Sequence, residues 1–531
     1  MSTSALTSAS QKRLSPGVIL AAVCIACVLL PISLTGASVA LPDIGISLHG
    51  GLAAVQWVVN GYDLTFAGIM LAAGSLSDRI GRRKVFACGL GVFVLFSLVS
   101  SIAPNILVLD LARAAAGVGA AGVLTSGAAI LATTFTEGPA RAKAFAMLGT
   151  SFGLGIAFGP ALSGVEVAAL GWRGVFASHA IVAGLVLLTA LKVVPESRNP
   201  EPGKFDWPGN ITFTVALSLF ILVLIEGPQW GWGSAGTIAT LIAVVVLLAA
   251  FPIVERRQQN PMFDVSLFVN PRFVAISLVP VALAFGFTAV LMLLPSYFSS
   301  VDGTGAGASG LILMLMTVPT LALPMVGGWL TKHTSHRTIL VLSLALTTAG
   351  AAWLTVLEPS ASLFTIAGPL LLIGAGFGIS LGILDGAAVS TVEPERAGMA
   401  AGMFNTMRLS SEVVAIAAMG SLVVTLTQSR LADGISRFAG AFGGTSDTLA
   451  NSAASGDLAG AAATVPAGSR DAFVQFASGG YTSAMHTVLW ILAGICAASA
   501  LAVGALLTQR RDETADAASL EPAVEEASAA V

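Results

Sequence analysis

Gly74-Ser75-Leu76-Ser77-Asp78-Arg79-Ile80-Gly81-Arg82-Arg83-Lys84 is a short polar stretch between two long apolar runs, residues 53–73 and 85–102. Five charges in eleven residues cannot lie in hydrocarbon, so the stretch reads as a tight turn at a membrane face. One helix enters the turn and another leaves it. Four of the five charges are cationic, which marks that face as cytoplasmic. Gly74 and Gly81 let a helix end and the backbone reverse in little space. Asp78 can pair with an arginine of the turn or of a neighbouring helix.

Composition agrees with this reading. The chain is 55% hydrophobic and 10% charged, whereas soluble proteins are about a quarter charged. Its 531 residues suffice for a dozen or more spanning helices, each needing about 20 apolar residues. A net charge of −3 says nothing about nucleic acid, and the sequence has no basic tract that would bind it. Cys24, Cys27, Cys88 and Cys496 all fall inside apolar runs and read as packing residues, the Cys24-x-x-Cys27 spacing included. Lys12 and Arg13 precede a first helix that reads as a retained signal and anchor.

Fourteen spans are expected, near 17–40, 53–74, 85–103, 106–134, 143–165, 173–194, 209–226, 236–254, 272–298, 308–330, 338–357, 362–389, 400–426 and 481–507. Threading the chain through them leaves twenty Lys and Arg on the side of the 74–84 turn. Four, Arg173, Arg430, Arg437 and Arg470, fall on the other side. Both termini are therefore expected in the cytoplasm. Gly328-Trp329-Leu330-Thr331-Lys332-His333-Thr334-Ser335-His336-Arg337 echoes the opening stretch, with Lys332 at the place of Asp78 and Ser335 at that of Gly81. Two six-helix halves with an extra pair between them would put the copy there, as in transporters built from repeats. The expected divisions are a cytoplasmic tail 1–16, a first bundle 17–194, an inserted pair within 195–271, a second bundle 272–507 and an acidic, disordered tail 508–531. The Gly-, Ala- and Ser-rich stretch 428–480 lies outside the membrane on this reading; parts of it can form short helices, and its composition points to no chemistry.

Charges inside spans are the candidate working groups, because each is costly in hydrocarbon. Arg113 lies about two turns into span 4. Its alternatives are to snorkel to the surface or to pair with Asp110. Asp63 and Glu412 fall near mid-membrane. Asp385 is nearer the inner end of span 12, and Glu166 and Glu226 are near outer ends. A mid-depth carboxyl that takes a proton from one side and releases it to the other is what proton coupling needs. Asn405, Arg408 and Glu412 share a helix face, so a structural Glu412–Arg408 pair is equally open. Asp63 has no local cation; its alternative is a hydrogen bond to another helix. In span 5, Gly149/Gly153 and Gly155/Gly159 are small-xxx-small spacings that allow close helix approach, and Pro160 bends the helix. No phosphate loop is present, so ATP is not the expected energy source. His333 and His336 read as turn residues, not metal ligands.

These stretches resemble a known family. The 74–84 turn is similar to the loop between helices 2 and 3 of major facilitator superfamily transporters, G-x-L-x-D-R-x-G-R-R, through Gly74, Asp78, Arg79, Gly81, Arg82 and Arg83. Span 4 resembles R-x-x-Q-G-x-G-A-A at Arg113, with Ala116 in place of the glutamine. Span 5 resembles the antiporter motif G-x-x-x-G-P-x-x-G-G at Gly155, Gly159, Pro160 and Gly164, with Ser163 for one glycine. Leu41-Pro42-Asp43-Ile44, Asp206-Trp207-Pro208-Gly209 and the stretch Gly398–Arg408 resemble the fourteen-span drug:proton antiporter branch. His179 stands where asparagine is usual, and Leu409 where glutamine is common. The resemblance implies an all-α polytopic membrane protein of the major facilitator fold, two six-helix bundles plus two inserted transmembrane helices. It implies proton-coupled export of hydrophobic or cationic small molecules across the plasma membrane by alternating access. Asp63, Arg113, Glu412 and Asp385 are then the proton or substrate candidates. The proton gradient is the energy source, no cofactor is needed, and a monomer is expected. Asp78 and Arg82 are expected to latch onto the end of span 4, with Glu137 as partner. The rival readings are an importer or a dedicated metabolite exporter of the same fold. A membrane enzyme or sensor would need a His/Asp or Ser/Lys cluster at one depth, which the sequence does not offer.

Overall fold

The computed structural model describes residues 16–136, 138–198, 206–258, 265–392, 397–438 and 441–507. Every regular element among them is helical, as long apolar runs require where backbone groups can bond only within their own segment. The first seven helices are α1 Pro16–Leu48, α2 Leu52–Ile80, α3 Arg82–Ser101, α4 Ile106–Thr134, α5 Gly138–Val193, α6 Trp207–Trp230 and α7 Ala235–Glu255. Then come α8 Pro271–Leu283, α9 Val290–Asp302, α10 Ala306–Thr317, α11 Pro319–Leu330, α12 His336–Trp353, α13 Leu363–Leu381 and the short α14 Leu384–Val389. The last are α15 Ala397–Ala432, α16 Ser446–Ser455, α17 Leu458–Ala463 and α18 Ala467–Leu506. Polar caps mark several starts: Asn105, Asp206, Ser234, Ser335 and Ser362 each accept a hydrogen bond from a backbone N–H in the first turn.

Among the described residues, twelve helical stretches are long and apolar enough to cross a membrane. One of them, Lys143–Val193, has 51 residues and would measure about 77 Å at 1.5 Å per residue, against a hydrocarbon core of about 30 Å. Its backbone breaks at Gly171, where φ is 73°, so it makes two crossings. With α2 alongside, the architecture is compatible with the fourteen spans expected. Several boundaries differ from that expectation. Span 14 starts at Ala467, because α18 is continuous from there. Span 12 divides into α13 and α14 around Gly382 and Ile383. Span 9 is α8 and α9 joined by a π-helical turn, Ala284–Ala289.

The stretch 428–480 is also more ordered than its composition suggests. α16 and α17 fold over a small core in which Phe442 packs 5.0 Å from Phe473 and Phe438 lies 5.3 Å from the same ring. This cap joins the two halves. Ser299 of α9 donates to Gly456 O at 2.9 Å, and a Cβ on Gly456 would sit 2.6 Å from Pro42 of α1. Elsewhere the halves meet where α2 packs on α15, α5 on α10 and α1 on α9. The tails 1–15 and 508–531 lie outside the described residues, as does Glu137.

At the opposite end the turn expected over residues 74–84 is shorter than that: α2 continues through Gly74 to Ile80 and α3 starts at Arg82, so the chain reverses at Gly81 alone, and the charged groups on either side close on one another. Arg82 Nη2 donates to Asp78 Oδ1 at 2.9 Å. The Arg82 N–H donates to Ser197 O at 2.8 Å and the Arg83 N–H to Glu196 Oε1 at 3.1 Å. Arg83 also donates through its guanidinium to Leu191 O. Asp78 and Arg82 thus pair with each other, and the turn docks on the end of α5; the partner expected for them, Glu137, is not among the described residues. Gly81 is required here twice over. Its φ is 122°, and an added Cβ would lie 2.5 Å from Glu196 Oε1.

The four span 5 glycines separate into two kinds. A Cβ on Gly155 would meet Val28 O at 2.5 Å as well as Pro31, and one on Gly159 would meet Thr35, whereas Gly149 has nothing within 4 Å. So Gly155 and Gly159 make the α1–α5 contact and Gly149 does not. Gly155→Ala is expected to destabilise the protein by about 1–3 kcal/mol, the scale of overpacking, with Gly149→Ala neutral in the same thermal unfolding measurement in detergent. Equal melting temperatures for the two would refute this packing. Gly81→Ala is expected to cost about 1–3 kcal/mol from backbone strain, and limited proteolysis at the 191–198 segment should speed up with it.

Candidate functional site

Midway along the bundle a small cavity of about 40 Å³ lies between the halves. α1, α2 and α5 line one side, and the π-helical turn, α9, α13 and α15 line the other. The walls are apolar and aromatic: Phe66 and Phe152 on one side face Phe287 and Phe377 on the other. The last two rings stack at 4.0 Å with planes 12° apart. The π-helical turn puts Phe287 and Thr288 on the cavity wall; such turns recur at functional sites.

Two carboxylates enter this apolar space. Asp63 comes from α2 and Glu412 from α15. Asp63 is 5% exposed, and its Oδ2 has no hydrogen-bond partner. It lies within electrostatic range of both Glu412 and Arg113. The hydrogen bond to another helix that would have made Asp63 structural is therefore lacking on that oxygen. Arg408, the alternative structural partner of Glu412, makes its ion pair with Asp385 at 3.9 Å and stays within electrostatic range of Glu412.

Arg113 is 1% exposed and does not snorkel. Its Nε donates to Val58 O at 2.9 Å, Nη1 to Ser33 Oγ at 2.8 Å and Nη2 to Ser33 O at 3.2 Å. The guanidinium carbon stands 4.2 Å from the Tyr62 ring centre and 5.5 Å from that of Phe176. The planar fork thus ties α4 to α1 and α2, a task a point charge would do less well. Arg113 does not line the cavity; Tyr62 does, and the cation sits against that ring. Asp385 is not in the cavity either. It lies on α14, with its side chain 61% exposed. Of the four candidates, the structure brings Asp63 and Glu412 together, places Arg113 behind them, and leaves Asp385 apart.

The remaining intramembrane carboxylates have local settings. Glu226 accepts from Trp57 Nε1 at 3.2 Å. Glu166 Oε2 and Asp110 Oδ1 are buried without a partner. Glu166, placed near an outer span end by the sequence, therefore keeps one oxygen away from bulk solvent. Sequence reasoning missed the aromatic pair Phe287–Phe377 and the buried amide Asn60, whose two polar side-chain atoms both lack partners. Asn60 carried a signal that could have been read, since it shares a face of α2 with Gln56 and Asp63 at helical spacing.

The space as it stands admits water and not a larger molecule; once the halves separate, its aromatic faces and carboxylates have the chemistry to meet a hydrophobic molecule that carries a positive charge. Comparison with known proteins agrees with a transporter architecture. Residues 23–416 match the family model described as Major Facilitator Superfamily. The chain is 32% identical over 394 residues to the multidrug resistance protein Stp of Mycobacterium tuberculosis (strain CDC 1551 / Oshkosh), covering 74% of this chain and 73% of that protein. It is 32% identical over 427 residues to the methylenomycin A resistance protein of Streptomyces coelicolor, covering 79% and 88%. In fold it is similar to the crystal structure of a bacterial homologue of the human lysosomal transporter Spinster, inward-facing and unoccupied. The TM-score there is 0.66 at 15% identity, covering 94% of this chain and 98% of that one. An all-helical, multi-pass chain with a cavity between its halves, matched over most of its length by that family model, belongs to the major facilitator superfamily and is a transporter, not an enzyme.

Proposed function

We propose that this protein exports hydrophobic, cationic small molecules in exchange for protons, by alternating access of the central cavity. The observation that carries the reading is the facing pair Asp63 and Glu412, one from each half, inside an aromatic-walled cavity. A carboxylate in such a place is costly while ionised and unpaired. It is relieved by a proton or by a cationic substrate. When both compete for one group, loading one releases the other, and this competition is what couples the two fluxes. The first two relatives' names, multidrug resistance and methylenomycin A resistance, support drug or antibiotic efflux as the physiological task.

In this reading the halves are residues 17–194 and 272–507, with the pair α6–α7 between them. The Lys and Arg excess places the 74–84 turn, and both termini, in the cytoplasm of a plasma-membrane protein. The cap of α16 and α17 then faces outward. The chain works as a monomer, with the proton gradient as the energy source and no resident cofactor. Rocking of one half against the other exposes the cavity to each side in turn. Gly155 and Gly159 provide the smooth α1–α5 contact on which the first half holds its shape.

Ethidium uptake into inverted vesicles, driven by an imposed pH gradient, tests the reading. Asp63→Asn and Glu412→Gln should each lower it by roughly tenfold or more, as expected when a group that carries a proton in a rate-setting step is lost. Membrane insertion and melting temperature should stay near the parent values. Full gradient-driven uptake in both variants would rule out this pair as the coupling site.

A further inference from the structure

Asp63 is the lowest of three polar residues on one face of α2. Gln56, Asn60 and Asp63 follow at four- and three-residue spacing, within one narrow stripe. The stripe faces α15. Its upper end is fixed by Gln56, whose amide packs on Gly420 so closely that a Cβ there would strike it. Its lower end is fixed by Asp63 and Glu412 in the cavity. Asn60 lies between, fully buried, with neither amide atom partnered. A buried amide that no protein group satisfies is expected to hold water or a ligand.

Above the stripe, a polar vestibule of about 550 Å³ opens under the cap. Its lining includes Gly50, Gly51 and Gln428, together with Asn451 and Asp447 of α16. From Gly51 the α2 axis descends to Asp63 in about 18 Å, with steps of about 6 Å from Gln56 to Asn60 and about 4.5 Å from Asn60 to Asp63. One water making two hydrogen bonds bridges a gap of about 5–6 Å.

We propose that Gln56 and Asn60 position a water-bridged proton path from the vestibule to Asp63, narrow enough to exclude the drug. The inference rests on the proton-coupled reading above and on the orientation that puts the cap outside. Asn60 acts as a positioning residue. Its carbonyl accepts from a bridging water and its NH₂ donates to one, so the water chain stays aligned. In the transfer, a hydronium in the vestibule gives up a proton, the excess proton passes along the chain of waters, and an O–H bond forms at Asp63 Oδ2. The last water keeps its two hydrogens, and the carboxylate becomes a neutral acid. Asp63 can then be reloaded from outside while the cap still closes the way to larger molecules.

Charged groups around the stripe come from each packed element. α15 presents Glu412, with Arg408 a turn below. α4 presents Arg113, held to Val58 O, and Asp110, whose carbonyl oxygen lies against Gly61. α6 presents Glu226, engaged by Trp57, and α16 presents Asp447 at the vestibule. α1 has no charged residue before Asp43. None of these shares the α2 stripe with Asn60.

Two assays on the purified, reconstituted chain separate proton entry from substrate handling. One is ethidium transport driven by a pH gradient. The other is exchange of ethidium across the membrane at equal pH, which needs no net proton movement. Asn60→Leu, which keeps the γ-branched shape but cannot hold water, is expected to reduce gradient-driven transport by roughly tenfold or more while exchange stays within about twofold. Asn60→Ser, which leaves room for water beside a hydroxyl, should restore most of the driven rate. Equal loss in both assays, or no loss in either, overturns the path. If Asn60→Leu does not elute as folded protein, Gln56→Leu is read against the same criterion. Asp63→Asn is run in parallel. If it abolishes driven transport and Asn60→Leu does not, the path fails and the coupling site stands. If Asp63→Asn leaves driven transport intact, the coupling reading itself fails.

Discussion

An ionised side chain in hydrocarbon must be paired, wetted or neutralised, and this single constraint arranges the membrane part of the chain. Arg113 meets it with backbone and hydroxyl acceptors from two other helices and with aromatic faces. Its charge is thereby fixed, and α1, α2 and α4 are fixed with it. Asp63 and Glu412 meet the constraint differently. They face an internal space, and Asp63 keeps an oxygen unpartnered. A group satisfied by its own protein is locked in one state. A group left unsatisfied can answer to whatever enters.

The contrast extends to the two ends of the molecule. At one end the 74–84 turn is tied by short polar contacts, Arg82 to Asp78 and the turn's N–H groups to Ser197 and Glu196. All of these contacts lie within residues 78–197, so they stiffen the first half at this end. At the opposite end the bridging is direct, since the cap touches Pro42 of α1 and Ser299 of α9. The antiporter-like stretch lies between these ends. Gly310 packs against Pro160, and Thr317 Oγ1 donates to Ala157 O at 2.7 Å. Glycine at 310 lets α10 approach the bent helix closely enough for that hydrogen bond.

Much of this was legible in the amino-acid order because membrane insertion writes its rules in composition. Apolar length sets the spans, and charges set the turns and the working groups. Asp63 and Glu412 stood out for that reason. What was hidden depended on long-range packing. Nothing local tells Arg113 to seek Ser33 and Val58 and not Asp110. The π-helical turn at 284–289 has no compositional mark, and it decides that Phe287 faces Phe377. The cap was underread for another reason. Its Gly, Ala and Ser content suggested little order, yet Thr445 and Thr448 form a reciprocal N-cap on α16 and Asp457 caps α17. Those caps, with four phenylalanines spaced along 438–476, carried the signal.

The inserted pair finds its reason in the same constraint. A polar stripe on α2 and a carboxylate on α15 would be costly if the seam between these helices faced lipid. α6 lies along that seam. Leu217, Ile221 and Ile225 pack with Ala53 and Leu64 of α2 and with Val413 and Ala417 of α15. At one level Asn210 Nδ2 and Thr214 Oγ1 both donate to Gly68 O, at 3.2 and 3.1 Å, and at another Trp57 donates to Glu226. α7 lies outside α6, and little of it is buried. These three polar ties run to α2, while Leu217, Ile221 and Ile225 meet Val413 and Ala417 of α15 through apolar side chains. Apolar surfaces slide without leaving broken hydrogen bonds behind, whereas a buried donor stripped of its acceptor costs about 1–3 kcal/mol. An element bonded to one helix and merely packed on the other can keep the seam dry while the two helices shift, which a screen tied to both could not do.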